Sequence, residues 1–240
     1  MEWNIIHIDE TDSTNRWLRE WAEQHPEPPV PVPVCVVADY QTAGRGCGTN
    51  HWESERGQNL LFSVLLHPRE VAASRQFHIS MAVSIAISDA LEQYIGDVSI
   101  KWPNDIYWQN GKISGILIEH TLQGSFIKDS IVGVGLNVNQ QRFLSDAPNP
   151  VSLWQITGHE TDREALLHDI LQRIERLTAE DVRSRYLAKL YRRKGFHPYT
   201  DGQGAFMAEI TGVENDGRLL LRDDNGQERR YTFKEVQFVI

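Results

Sequence analysis

Cysteine is scarce. Cys35 and Cys47 are the only two, and they form neither a C-x-x-C pair nor any other metal or redox spacing. Thiolate zinc chemistry therefore has no support, and a reduced, cytoplasmic setting is the default. Nine histidines are present, yet no two have the H-x-x-x-H spacing of a helical zinc pair. Positive charge is also in deficit: 24 Lys and Arg against 33 Asp and Glu leave a formal net charge of −9. A general surface for nucleic acid or anionic membrane is thus disfavoured. No apolar run is long enough to span a bilayer, and Met1-Glu2-Trp3-Asn4 lacks the basic and apolar regions of a signal peptide. What is present is ordinary soluble composition over 240 residues, enough for one good core or a larger domain plus a small one.

In chain order, Trp3–Ile8 reads as a strand, and Asp12-Ser13 as N-cap chemistry for a helix carrying Trp17, Leu18 and Trp21. The proline-rich segment His25–Pro33 reads as an extended connector. Apolar runs at Val34–Ala38 and Leu60–Leu66 flank a glycine-rich loop, and Phe77–Tyr94 reads as a largely buried helix. Strands are expected at Val98–Lys101, Ile106–Trp108, Ile113–Thr121 and Phe126–Gly135, with Asn110-Gly111 as a hairpin signal. Asp162–Tyr191 reads as helical. Composition changes near Lys194-Gly195, and four or five short strands follow, with tight turns at Asn215-Asp216-Gly217 and Asp224-Asn225-Gly226. They suggest a small barrel leaning on the main domain, because so small a core is marginal alone.

The central loop, Asp39–Trp52, holds three glycines at alternate positions and Arg45. Glycines let backbone amides approach a ligand, and arginine offers a fixed charged fork for carboxylate or phosphate. A solvated turn would look the same. The familiar phosphate loops fail: Gly111-Lys112 is followed by Ile113, not Ser or Thr, and Gly44-x-Gly46-x-x is followed by Thr49. No G-x-S-x-G elbow is present. Three further segments are candidates: Lys101-Trp102-Pro103-Asn104-Asp105, Lys112–Gly115 and Gly133–Asn139. Alone, each is equally a proline turn, a solvated lysine or a site of close backbone packing.

Together they say more. Asp12-Ser13-Thr14-Asn15, Gly44-Arg45-Gly46, Lys101–Asp105 with Lys112–Gly115, and Gly133–Asn137 resemble, in order and spacing, the motifs of biotin–protein ligases. The resemblance covers about residues 7–140, and the C-terminal strands look like that family's small barrel. It implies an α+β fold, a mixed, mainly antiparallel sheet flanked by helices and similar to class II aminoacyl-tRNA synthetase cores. Residues 1–194 would form the catalytic domain and 195–240 an SH3-like barrel.

The implied reaction joins biotin to ATP as biotinyl-5′-adenylate, then transfers biotin to one lysine of a carboxylase's biotin carboxyl carrier domain. By resemblance, Ser13, Thr14, Asn15, Gln41, Gly44, Arg45, Gly46, Lys112 and Gly115 bind biotin. Cys47, Trp52, Asn104, Asp105 and Asn137 lie on the ATP side. Arg45 and Lys112 are the expected catalytic cations, with Mg2+ carried by the phosphates and Asp105 as a further contact. The 44–52 loop is expected to order over the adenylate. One departure stands out: Cys47 and Thr49 replace residues that are commonly Arg or Gln, and Gly, in the family's loop, which implies a looser hold on the intermediate. Because the sequence starts directly at the catalytic region, a form without a helix-turn-helix module, and so without DNA binding, is expected. Exposed sheet edges leave room for a homodimer. The rivals are a lipoate or octanoate ligase or transferase, with the same acyl logic, and a non-catalytic adaptor.

Overall fold

The computed structural model describes residues 3–25, 32–46, 48 and 50–240. Most of the proline connector, 26–31, and the loop residues Cys47 and Thr49 lie outside the described residues.

The chain opens with β1 (Asn4–Thr11), α1 (Thr14–Gln24) and β2 (Val34–Gln41). A helical crossover returns the chain in the same direction, so β1 and β2 pair in parallel. Then follow β3 (Leu60–Leu66), α2 (Phe77–Leu91), β4 (Val98–Lys101), β5 (Asp105–Trp108), β6 (Gly111–Gln123) and β7 (Phe126–Leu136). The seven strands form one sheet in the order β1-β2-β3-β7-β6-β5-β4, and every pairing but the first is antiparallel. The expected mixed sheet is the one observed.

Strand alternation sends apolar side chains to both faces. Val34, Val36, Leu65 and Ile131 meet Leu18 of α1 on one side. Cys35, Val37, Phe62, Val64 and Val132 join the larger core on the other. There α2 is buried nearly all round, between the sheet and a second helical layer, which explains its apolar sequence.

Beyond β7 comes α3 (Leu153–Thr157), which the sequence reading passed over although its capping box, Ser152 with Gln155, and its left-handed Gly158 cap are legible. The region read as helical over 162–191 is two helices, α4 (Arg163–Leu177) and α5 (Arg183–Ala188). No glycine or proline breaks them. Thr178 turns its hydroxyl back to Ile174 O at 2.9 Å, and the bend lets Tyr186 reach Phe77 edge-on and donate to Pro103 O at 2.7 Å.

The C-terminal strands are β8 (His197–Asp201), β9 (Gly204–Val213), β10 (Leu219–Asp223), β11 (Glu228–Tyr231) and β12 (Val236–Phe238). Their order is β11-β10-β9-β8-β12. Among the described residues β11 and β12 do not pair, so a five-stranded sheet stands where a barrel was anticipated. β8, which the sequence reading passed over, lies between β9 and β12. The sheet's core residues Tyr199, Ile210, Leu219 and Leu221 are continuous with the main core, and Trp102 Nε1 donates to Gly217 O across the junction at 2.8 Å.

Candidate active site

Three glycines set the floor of the site. Gly115 of β6 lies opposite Gly135 of β7, and Gly133 pairs with Leu117 on one side and Ser63 of β3 on the other. Period-two alternation puts Ser63, Gly133 and Gly135 on the face that α1 partly covers. Asn15 closes over Gly133, where an added Cβ would collide with its amide. Trp52 lies across the other two: a Cβ at Gly115 would stand 2.9 Å from the indole, and one at Gly135 would collide with it.

The polar end of this floor is built by the start of α1. Ser13 occupies the N-cap position, but its hydroxyl caps nothing; Asp12 Oδ1 takes the Ser13 N–H instead, at 2.7 Å. Gln41 Oε1 accepts from Thr14 N at 2.8 Å and from Thr14 Oγ1 at 3.0 Å, which fixes the glutamine side chain. Ser63 Oγ is 2.8 Å from Thr14 Oγ1 and donates to Asn15 Oδ1 at 2.7 Å. Asn15 Nδ2 gives its two hydrogens to Leu117 O and Glu119 Oε2, at 3.2 and 2.9 Å. The Asn15 amide donors are therefore committed within the protein. Ser13, Thr14 and Asn15 are all buried, so donors and acceptors left for a ligand here are firmly placed.

Glu119 also meets Arg19 at 3.0 Å and Arg45 at 3.8 Å. Burial pushes its carboxyl up, but the hydrogen bonds from Asn15 and Arg19 and the charges of Arg19 and Arg45 outweigh it and hold the group below its usual range. The loop itself folds as a small hairpin. Gly46 N donates to Asn50 O at 2.7 Å and Trp52 N to Gly44 O at 2.9 Å, with Arg45 bridged to His51. Gly44 is buried, and a Cβ there would stand 2.8 Å from Trp52 O. Cys47, expected on the ATP side, is outside the described residues.

At the other end of the floor, Lys112 Nζ pairs with Asp105 Oδ1 at 2.7 Å and sits 5.8 Å from the Trp52 ring centroid. A β-bulge places it there: pairing slips between Ile106 and Tyr107, leaving Ile113 as an extra residue on β6. Asn104, half-buried, lies in the turn before Asp105. Asn137 ends β7's run, donating N–H to Ile113 O at 2.9 Å and Nδ2 to Val151 O at 3.1 Å. Its Oδ1 and the Trp52 Nε1 are buried without a partner. Such orphans cost roughly 1–3 kcal/mol each. They mark where a polar ligand would be most rewarded.

The structure thus brings Thr14, Gln41, Trp52, Asp105, Lys112 and Asn137 around one glycine floor. Arg45 and Lys112 do not contact each other; each has its own carboxylate. Residues 8–137 match the Biotin/lipoate A/B protein ligase family. The chain belongs to that family. The Bacillus subtilis bifunctional ligase/repressor BirA is 29% identical over 95% of this chain and 72% of its own. The biotin--[acetyl-CoA-carboxylase] ligase of Paracoccus denitrificans is 29% identical over 91% of this chain and 94% of its own. Among solved structures, the Aquifex aeolicus biotin protein ligase in complex with biotin and ATP superposes with a TM-score of 0.79 at 29% identity. That comparison covers 98% of this chain and 99% of the other.

Two residues of this ligase-family site escaped the sequence reading. Ser63 sits inside an apolar strand and Glu119 in the outer half of β6, and only cross-strand register shows that both meet Asn15. No motif signals either one. Among the described residues, no three His, Cys, Asp or Glu side chains gather into a metal cage. At the lysine end Asp105 pairs with Lys112, Asn104 precedes it in the chain, and Asn137 bonds to Ile113 beside Lys112. One carboxylate and two amides suit a magnesium ion that arrives on phosphates, not an all-protein site.

Proposed function

We propose that this chain is a biotin–protein ligase that makes biotinyl-5′-adenylate from biotin and ATP and then biotinylates a lysine of a carrier domain. The single observation that carries it is the glycine floor, with rigid polar recognition at one end and a lysine–carboxylate pair at the other. A long, thin acid with a polar ring fits such a floor: its ring meets the Ser13–Gln41 end and its tail points its carboxylate toward Lys112.

In the first step a biotin carboxylate oxygen forms a bond to the α-phosphorus, and the bond from that phosphorus to the bridging oxygen breaks to release pyrophosphate. Two anions must meet, so cations held at the developing charge do most of the work. Lys112 supplies one and Arg45 the other, each exchanging its carboxylate partner for phosphate. Magnesium, when bound to the triphosphate, would neutralise further charge, with Asp105 as its protein contact. Trp52 would cover the adenine side, and Asn104 and Asn137 would bind the nucleotide. Gly44 and Gly46 would bring loop backbone close to biotin, Gly115 would lie beneath it, and the loop would close over the anhydride to exclude water.

In the second step the acceptor lysine amine attacks the acyl carbon, an amide forms, AMP leaves, and the amine proton goes to solvent or to Asp105. The carrier domain of a biotin-dependent carboxylase is the acceptor proposed, in a reducing cytoplasm that suits the buried thiol Cys35. Residues 195–240 would form a second domain, and the outer strand β1 leaves an edge on which a second copy could pair.

The test is pyrophosphate exchange into ATP with biotin and no acceptor protein. Exchange with biotin establishes the reading; exchange with lipoate or octanoate alone moves the chain to that branch of the family, and no exchange with any acid leaves only a binding role.

A further inference from the structure

One row of residues runs straight across four strands of the main sheet. Gly135 of β7 pairs with Gly115 of β6, and Ser114 pairs with Ile106 of β5, so the next step along both strands aligns Gly115 with Asp105. Asp105 in turn pairs with Lys101 of β4. Residues directly opposed across strands share a face, so Lys101 projects on the same side as the glycine floor. Neighbouring strands lie about 4.8 Å apart, which puts the Lys101 backbone one strand beyond Asp105 and about 10 Å from Gly115. Asn104 and Asp105 of the 101–105 segment already have roles at the site, and Lys101 has none.

Lys101 is half-buried. Among the described residues its ammonium forms no ion pair and a single hydrogen bond, donated to Tyr107 Oη at 3.2 Å. Two ring faces attend the charge instead: Nζ is 5.1 Å from the Tyr107 centroid and 5.4 Å from that of Phe238. Burial lowers its pKa, Asp105 opposes that shift, and the charges of Lys112 and Arg192 add to it. A half-buried cation near two others is costly without an anion of its own. Asp105 is committed to Lys112 at 2.7 Å, so the place for that anion beside Lys101 is left to a ligand.

We infer that Lys101, one strand beyond the Lys112–Asp105 pair, is the cation that holds the leaving pyrophosphate of the adenylation step. This rests on the ligase reading above. In-line displacement at the α-phosphorus puts the attacking carboxylate and the departing β-phosphate on opposite sides of that atom. With biotin along the floor and its carboxylate at Lys112, the β- and γ-phosphates depart onward across β5, toward β4. As the bond from the α-phosphorus to the bridging oxygen breaks, its electron pair stays on that oxygen, and the Lys101 ammonium meets the added charge. In the reverse direction the same point charge binds free pyrophosphate. Biotin and the AMP half of the adenylate lie on the near side of Lys112 and make no use of Lys101.

The experiment compares wild type with Lys101→Met, which keeps an apolar stem and removes the charge, and with Lys128→Met near the far end of β7 as a charge control, all in the full chain. Wild-type exchange of pyrophosphate into ATP with biotin is measured first; if it is absent, the ligase reading falls and this inference with it. Given exchange, Lys101→Met should raise the KM for pyrophosphate about ten- to a hundredfold. Biotin affinity without ATP and retention of supplied biotinyl-5′-adenylate should stay within about twofold, because neither ligand carries a β- or γ-phosphate. The melting temperature should hold or rise, since an unpaired charge leaves a half-buried place, and Lys128→Met should match wild type. The inference is overturned, with the ligase reading intact, by a wild-type KM for pyrophosphate in Lys101→Met or by the same loss in Lys128→Met. It is equally overturned if adenylate retention falls as far as pyrophosphate affinity, or if the loss comes with a lower melting temperature.

Discussion

Lys112→Ala separates chemistry from folding at this site. The ammonium pairs with Asp105 at 2.7 Å, and the two side chains are 31% and 29% exposed. Water can reach Asp105 once its partner is gone, so the stability loss should be about 0–1 kcal/mol. The backbone of Lys112 keeps its place in the variant, because its N–H to Asn149 O at 2.7 Å and its carbonyl from Val151 N at 3.0 Å do not involve the side chain. The effect on adenylation should be far larger. Removing one fixed donor or cation from a developing charge in a shielded site costs on the order of a hundredfold to a thousandfold, about 2.7–4 kcal/mol. Biotin-dependent pyrophosphate exchange should therefore fall by at least about a hundredfold, while the melting temperature moves by only a few degrees. Lys112→Arg keeps the charge and loses the point geometry, so an intermediate rate is expected. Unchanged turnover in the alanine variant, with a normal melt, would remove Lys112 from the mechanism.

Gly135→Ala should displace the Trp52 indole, lowering biotin affinity at least about tenfold, and Trp52→Ala in the same chain should restore part of it; no recovery would show that the sheet, not the indole, was disturbed. Glu119 titrates below its usual range in the folded state, so its ionised form adds stability that is fully present above the unfolded carboxyl pKa and disappears as pH falls through the lower folded value. The difference in melting temperature between wild type and Glu119→Gln should therefore be full at neutral pH and close on acidification; a gap that widens in acid contradicts the assignment. Ile85→Ala, at a fully buried position of α2, should cost about 2–5 kcal/mol in urea unfolding, and a loss below about 1 kcal/mol would be incompatible with a helix enclosed between sheet and α4.

Local chemistry was legible in the sequence wherever one segment carries its own explanation. Val34–Ala38 and Leu60–Leu66 read as strands because both of their faces are buried, and α2 read as an enclosed helix for the same reason. The Asn215–Gly217 and Asp224–Gly226 turns announced themselves because Gly217 and Gly226 adopt positive φ there. The break between α4 and α5 was not legible. Nothing in Thr178–Val182 forbids helix, and the bend follows from Tyr186 finding Phe77 and Pro103. β8 was passed over, and Pro198 inside it is tolerated although both β9 and β12 pair with that strand.

The site divides along the same line, and Lys112 shows where. Strict alternation along β6 sends residues 112 and 114 to the face opposite Gly115, which would turn the lysine away from Trp52 and the glycine floor. Pairing with β5 supplies what the period cannot. The extra residue at Ile113 reverses the phase, so that Lys112 Cε comes within 3.2 Å of a Cβ position on Gly115. A bulge is a property of two strands taken together, and β6 alone carries no mark of it. Motif resemblance could point to this position because a motif preserves the outcome of such pairings without stating their cause. Where no motif reaches, as at Ser63 and Glu119, only assembled strands reveal which side chains meet the glycine floor and its loop. The floor's two ends are thus specified by different physics: capping and side-chain hydrogen bonds at Thr14 and Asn15, and an irregularity of sheet register at Lys112.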